Sequence, residues 1–93
     1  GMRVAHNLVS SNILDYIELS PDYSLVEITA LPSWENKSLR ELDMRARFGI
    51  NVMAIKHNKE VNISPKGDDV IRHGDVLVVI GKIDDINRLE NEA

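Results

Sequence analysis

"SLRELDMRARFGINVMAI", Ser38 to Ile55, is the stretch on which the fold turns. Ser38 followed three positions later by Glu41 is a capping box, in which the serine hydroxyl accepts from the first helical turn and the glutamate reaches back to the cap. A helix is therefore expected from about Leu39. Leu39, Leu42 and Ala46 fall three and four apart and form its expected buried face. Gly49 suits the left-handed residue after a last turn, which ends the helix at or near Phe48. From Ile50 to Ile55 the residues become β-prone, and strict alternation puts Asn51, Met53 and Ile55 on one face and Ile50 and Val52 on the other. A helix that runs through a glycine into a strand points to an α+β domain.

Outward from this passage the chain keeps the same character. After Ile55 come a turn near Asn58 and Lys59, a short strand in "EVNIS", the loop "PKGDD" and the tight turn "RHGD". Val76 to Gly81, "VLVVIG", is nearly continuously apolar, as expected of a strand in the middle of a sheet. "DDINRLENEA" then reads as a short C-terminal helix with aspartates at its start and Ile86 and Leu89 as its apolar pair. On the N-terminal side, "SLVEITAL" is a strand closed by Pro32. Before it, Val4, Ala5, Leu8, Val9, Ile13, Tyr16 and Ile17 have helical spacing and predict an amphipathic helix. The expected fold is thus a small β-sheet with a packed helix, an N-terminal amphipathic helix and a short C-terminal helix. Residues 1–20 are read as a connecting helix preceded by a tag scar at Gly1, and 21–93 as the domain proper. The chain is expected to be a piece of a longer protein.

Composition narrows the function. With 93 residues, 43% of them hydrophobic and 28% charged, one small domain is expected. No apolar run approaches the roughly 20 residues of a membrane helix, so no membrane insertion is expected. A net charge of -4 argues against nucleic acid as a partner. The absence of cysteine leaves no thiolate metal site or disulfide framework, and a cytoplasmic setting is the default. His6, His57 and His73 are dispersed, without metal-ligand spacing. No nucleophile elbow, paired-carboxylate pattern, GxGxxG or P-loop is present, so no enzyme is predicted.

"DMRARFGIN", Asp43 to Asn51, leaves two readings open. Asp43 and Arg47 are four apart and suit an exposed helix pair, and Arg45 near the helix end complements the dipole. Surface decoration explains these three. Asn51 is less easily explained, because asparagine is disfavoured at the entrance to a strand. An arginine fork and an amide at that point can together grip a phosphate.

The chain resembles the TrkA-C domain, the C-terminal lobe of RCK proteins, over nearly all of its length. The resemblance lies in Ser38, Leu42, Arg45, Gly49, Val52 and Ile55, spaced S-x-x-x-L-x-x-R-x-x-x-G-x-x-V-x-x-I. It continues in Pro65, Asp68, Gly74, Asp75, Leu77 and Gly81, spaced P-x-x-D-x-x-x-x-x-GD-x-L-x-x-x-G. The N-terminal third is similar to the lobe entrance of KtrA-type cytosolic subunits of bacterial potassium uptake systems. The resemblance implies a homodimer whose interface binds cyclic di-AMP to inhibit potassium uptake. It also implies a cytoplasmic protein docked on a membrane potassium-translocating subunit, with NAD or ATP bound only by an N-terminal lobe outside this chain. It assigns the phosphates to Arg45 and Asn51, with Asp43 nearby, the adenine bed to Leu39, Met44 and Ile50, and a flanking role to Pro65. At one position the chain departs from the pattern: related proteins carry two consecutive apolar residues where this one has Leu39 and Arg40. Arg40 either weakens base packing, or covers the base with its stem while the guanidinium stacks or meets phosphate. The alternative functional reading is a purely structural dimerisation module.

Overall fold

The computed structural model describes residues 13–92. Its strands are β1 Ile13–Glu18, β2 Tyr23–Thr29, β3 Asn51–His57, β4 Glu60–Asn62 and β5 Val76–Lys82. Its helices are α1 Leu39–Leu42, α2 Met44–Phe48 and α3 Ile83–Glu92, with a 3-10 turn at Pro32–Trp34. The strands form one antiparallel sheet in the order β1-β2-β5-β3-β4, so the apolar strand β5 is central, as its composition predicts. Val26 and Ile28 of β2 stand opposite Val79 and Leu77 of β5, and all four have 0% exposure. Trp34, Leu42, Met44, Phe48, Ile86 and Leu89 cover that face and complete the core. The C-terminal helix behaves as expected, with Ile86 and Leu89 both fully buried.

The expected N-terminal helix is not formed by the residues described. Ile13–Glu18 is a strand, with Tyr16 opposite Val26 and Ile17 opposite Leu25. The physical reason is a bulge. A register shift between Ile13 and Asp15 leaves Leu14 without a partner, so Ile13 and Tyr16 both reach the core face although they are three residues apart. A bulged edge strand thereby reproduces helical spacing. The remainder of the expected helix, including Val4, Leu8 and Val9, lies outside the described residues.

The helix expected from Leu39 to Phe48 is broken in two. Asp43 takes the left-handed conformation, with φ 46° and ψ 49°, and separates α1 from α2. The interruption rotates the second helix, so that Met44 and Phe48, four apart, are buried and Ala46 is exposed. The capping box is formed as read: the Glu41 N–H donates to Ser38 Oγ at 3.1 Å and the Ser38 N–H donates to Glu41 Oε1 at 3.0 Å. Gly49, with φ 73°, also takes its expected left-handed place and donates its N–H to the Arg45 carbonyl at 3.0 Å.

Alternation in β3 fails at one residue. A register shift between Val52 and Ala54 leaves Met53 as the extra residue of a bulge. Val52 opposite Val79 and Ile55 opposite Leu77 therefore share the core face, whereas Asn51, opposite Ile80, is on the other. Ile55 is thus buried and does not accompany Asn51 and Met53.

Candidate functional site

The site begins where α1 docks on the loop between β4 and β5. The first N–H groups of a helix have no partner within it. Here the loop supplies two acceptors: the Leu39 N–H donates to the Asp69 carbonyl at 3.1 Å and the Arg40 N–H to the Gly67 carbonyl at 2.8 Å. The loop is itself held by Asp69, whose carboxylate accepts from the Lys66 N–H at 2.8 Å and the Asn62 side-chain amide at 2.9 Å. The Lys66 backbone bond first, and the Asn62 bond second, hold the Asp69 carboxyl below its ordinary value.

Between α1, the Asp43 break, α2 and the start of β3 is a cavity of about 350 Å³. Leu39, Arg40, Asp43, Met44, Arg45, Ile50, Asn51, Val52 and Gly67 line it. Seven of the eight residues singled out from the sequence are brought together here. The eighth, Pro65, is half-buried and outside the lining; Gly67, two residues on, is the loop's contribution. Gly67 and Val52 were missed. The only signal for Gly67 was the loop motif "PKGDD", which by itself speaks only of a turn.

The seven differ in character. Met44 and Ile50 are core residues, 4% and 1% exposed, and form an apolar floor. Leu39 is half-buried, while Arg40, Asp43, Arg45 and Asn51 are exposed on the walls. Among the described residues, no hydrogen bond or ion pair engages the side chains of Arg40, Asp43, Arg45 or Asn51. Asp43 and Arg47 do not pair; the Arg47 guanidinium lies 5.2 Å from the Phe48 ring centroid and points to the Leu42 carbonyl. The cavity thus offers two guanidinium groups, one carboxylate and one amide above an apolar base. That combination suits an anion attached to a largely apolar group.

A larger cleft of about 500 Å³ lies between the β3–β4 hairpin and the "RHGD" turn. Its buried polar group is already satisfied: Asp75, 2% exposed, pairs with the His57 ring and accepts from the Arg72 N–H at 2.9 Å. The His57–Asp75 pair was not legible in the sequence, because nothing local marks Asp75 as buried. His73, in the same turn, pairs with Glu35 at 2.7 Å. No group of three or more potential metal ligands occurs among the described residues.

A bulged antiparallel sheet with a broken helix over one face and a cationic cavity at the helix-to-strand passage defines a small α+β lobe, and residues 23–93 match the TrkA-C domain. The chain belongs to this family. It is 52% identical over 91 residues to Ktr system potassium uptake protein C of Bacillus subtilis (strain 168), covering 98% of this chain and 41% of that protein. The chain therefore spans about two fifths of that relative's length. Its fold is similar to the RCK C domain of the potassium transport protein KtrA, solved in complex with cyclic di-AMP. The TM-score there is 0.72 at 41% identity, covering 76% of this chain and 84% of that one. It is also similar to the RCK_C domain dimer of S. agalactiae BusR, again in complex with cyclic di-AMP. In that case the TM-score is 0.67 at 27% identity, covering 77% and 90%. No helix among the described residues is long and apolar enough to cross a membrane.

Proposed function

We propose that this domain binds cyclic di-AMP across a homodimer interface and, within a full-length cytoplasmic subunit, restrains a membrane potassium-translocating partner. The observation that carries this reading is the cavity itself, which gathers Arg45 and Asn51, both exposed and unengaged among the described residues, over the apolar floor of Met44 and Ile50. Arg45 and Asn51 grip a phosphate, Leu39, Met44 and Ile50 bed an adenine, and Asp43 borders the phosphate subsite. Pro65 acts through the loop that carries Gly67. A volume of about 350 Å³ is at the small end for a ligand pocket. It suits half of a two-fold symmetric ligand, the second protomer supplying the other half.

The similarity to two RCK_C domains solved with cyclic di-AMP supports the ligand. Binding across the interface would lock the relative orientation of two lobes, and that restraint is what a transporter subunit can sense. Titration calorimetry with cyclic di-AMP tests the reading. The wild type is expected to release heat with one ligand per two chains. Arg45→Ala and Asn51→Ala are each expected to weaken binding by at least tenfold, the scale of a lost charge-assisted hydrogen bond. A folded, dimeric wild type that gives no heat would sink the proposal.

One observation favours a second reading, a purely structural dimerisation module with sensing elsewhere in a full-length protein. Leu25, Val78 and Ile80 are only half-buried on the face opposite the core, beside the 53%-exposed Ile17. Asn51 pairs with Ile80 at the rim of that face. Under this reading, replacing Arg45 and Asn51 together leaves both dimerisation and transport regulation unchanged.

A further inference from the structure

A cavity of about 190 Å³ lies between the 3-10 turn and α2, apart from the site described above. Met44 is the only residue common to the linings of the two. Trp34, Leu42, Met44 and Phe48 form its floor, and each is 2–6% exposed. Lys37 and Arg47 are the exposed cations of its rim, and no carboxylate lines it. The Arg47 guanidinium is held at this edge by the Phe48 ring, 5.2 Å from its centroid. Its hydrogen bond to the Leu42 carbonyl, at 3.5 Å, uses one of its five donors. Among the described residues, no carboxylate pairs with Lys37 or Arg47. Yet the chain has 15 acidic residues against 11 lysines and arginines. Two cations left without a counter-charge at one small cavity are matched by carboxylates brought from outside the domain.

The size of the cavity sets the kind of partner. Pockets for small-molecule ligands run to about 300–1,000 Å³, and this one is smaller, with room for a single side chain but not for a nucleotide. A floor of indole, phenyl ring and thioether suits an aromatic ring, and a buried aromatic anchor is the usual centre of a protein interface. We propose that this cavity is the docking point for an acidic polypeptide segment of a protein partner, which inserts one aromatic side chain over Trp34, Met44 and Phe48 and sets its flanking carboxylates against Lys37 and Arg47. The arginine fork takes a carboxylate through two donors, and the lysine supplies a point charge. The docking is independent of which ligand the first cavity takes.

The test is an NMR titration of the full 93-residue chain with the peptide acetyl-EEFEE-amide, read at the Trp34 indole and the amides of residues 33–48. Acetyl-EEAEE-amide, acetyl-QQFQQ-amide and phenylacetate are titrated alongside, and circular dichroism checks that each protein variant is folded. The peptide is expected to shift these signals, and loss of its phenylalanine to weaken binding at least tenfold. Lys37→Gln and Arg47→Gln are each expected to weaken it by about two- to five-fold, the scale of an exposed ion pair. Lys59→Gln, which removes an exposed cation from the β3–β4 turn, is expected to leave it unchanged. A folded wild type whose signals at 33–48 do not move overturns the inference. So does equal binding of acetyl-QQFQQ-amide, wild-type affinity in both rim variants, or an equal loss in Lys59→Gln. Phenylacetate binding as tightly as the peptide would assign the cavity to a small free acid and overturn the docking.

Discussion

At Gly81 the chain tolerates no side chain. A Cβ there would come within 2.5 Å of Ile50 Cγ2 and 3.2 Å of its Cβ. Ile50 is 1% exposed and supplies the cavity floor, so it has nowhere to retreat. Gly81→Ala is therefore expected to destabilise the domain by about 1–3 kcal/mol, the usual cost of overpacking. Urea unfolding followed by tryptophan fluorescence measures it, since Trp34 is the only tryptophan and is 2% exposed. An unchanged midpoint would contradict the close approach of these residues. Asp43 is a second residue whose backbone matters more than its charge. Its left-handed φ of 46° breaks the helix and turns Met44 and Phe48 inward. Aspartate tolerates that conformation better than most residues, and Asp43→Ala is expected to cost about 1 kcal/mol by the same assay.

Among the elements, α1 and its supporting loop decide whether the cavity has a wall. Ser38 caps a helix of only four residues, too short to persist without its cap and its loop contacts. Ser38→Ala is expected to cost about 1 kcal/mol in denaturant unfolding. The loop adds a pH dependence. Because its hydrogen bonds hold the Asp69 carboxyl below its ordinary value, the stabilisation is fully present above that ordinary value. It is lost as the pH falls through the lowered one. Carboxyl titration by NMR should find Asp69 among the last carboxylates to protonate. Amide exchange in residues 66–69 should rise in parallel, and Asp69→Asn should abolish the pH dependence of that rise. An Asp69 that titrates at its ordinary value would remove the basis for it.

For the whole molecule, the half-sized cavity and the half-buried apolar face opposite the core suit an assembly of two copies. Sedimentation should find a dimer, and cyclic di-AMP should stabilise it against unfolding. At a free ligand concentration of 100 times Kd the expected gain is about 2.7 kcal/mol, through mass action alone. Thermal unfolding with and without ligand reads this, and Arg45→Ala should cancel most of the gain. A ligand that raises Tm equally in wild type and Arg45→Ala must bind elsewhere. Net charge is a poor guide to this behaviour. The chain carries -4 in total, yet its cavity wall has two arginines against one aspartate.

By itself the sequence determined the elements whose signals are local. Ser38 with Glu41, Gly49, the Asn58 turn, the apolar run Val76–Gly81 and the pair Ile86 and Leu89 each carry their instruction within a few residues. It also put Arg40, Asp43, Arg45 and Asn51 within one short passage, which is why seven of the eight singled-out residues meet at one cavity. Only the tertiary structure decided which way side chains point where the backbone departs from a regular period. Bulges at Leu14 and Met53 and the left-handed Asp43 each shift the phase of the residues beyond them. Ile13 and Tyr16 consequently share the face of a strand, Ile55 turns to the core, and Met44 replaces Ala46 inside. The same dependence on distant partners hid the docking of Arg40 against Gly67 through its N–H and the burial of Asp75 beside His57. Each joins segments 18 or more residues apart, and no local pattern records what the sheet brings together.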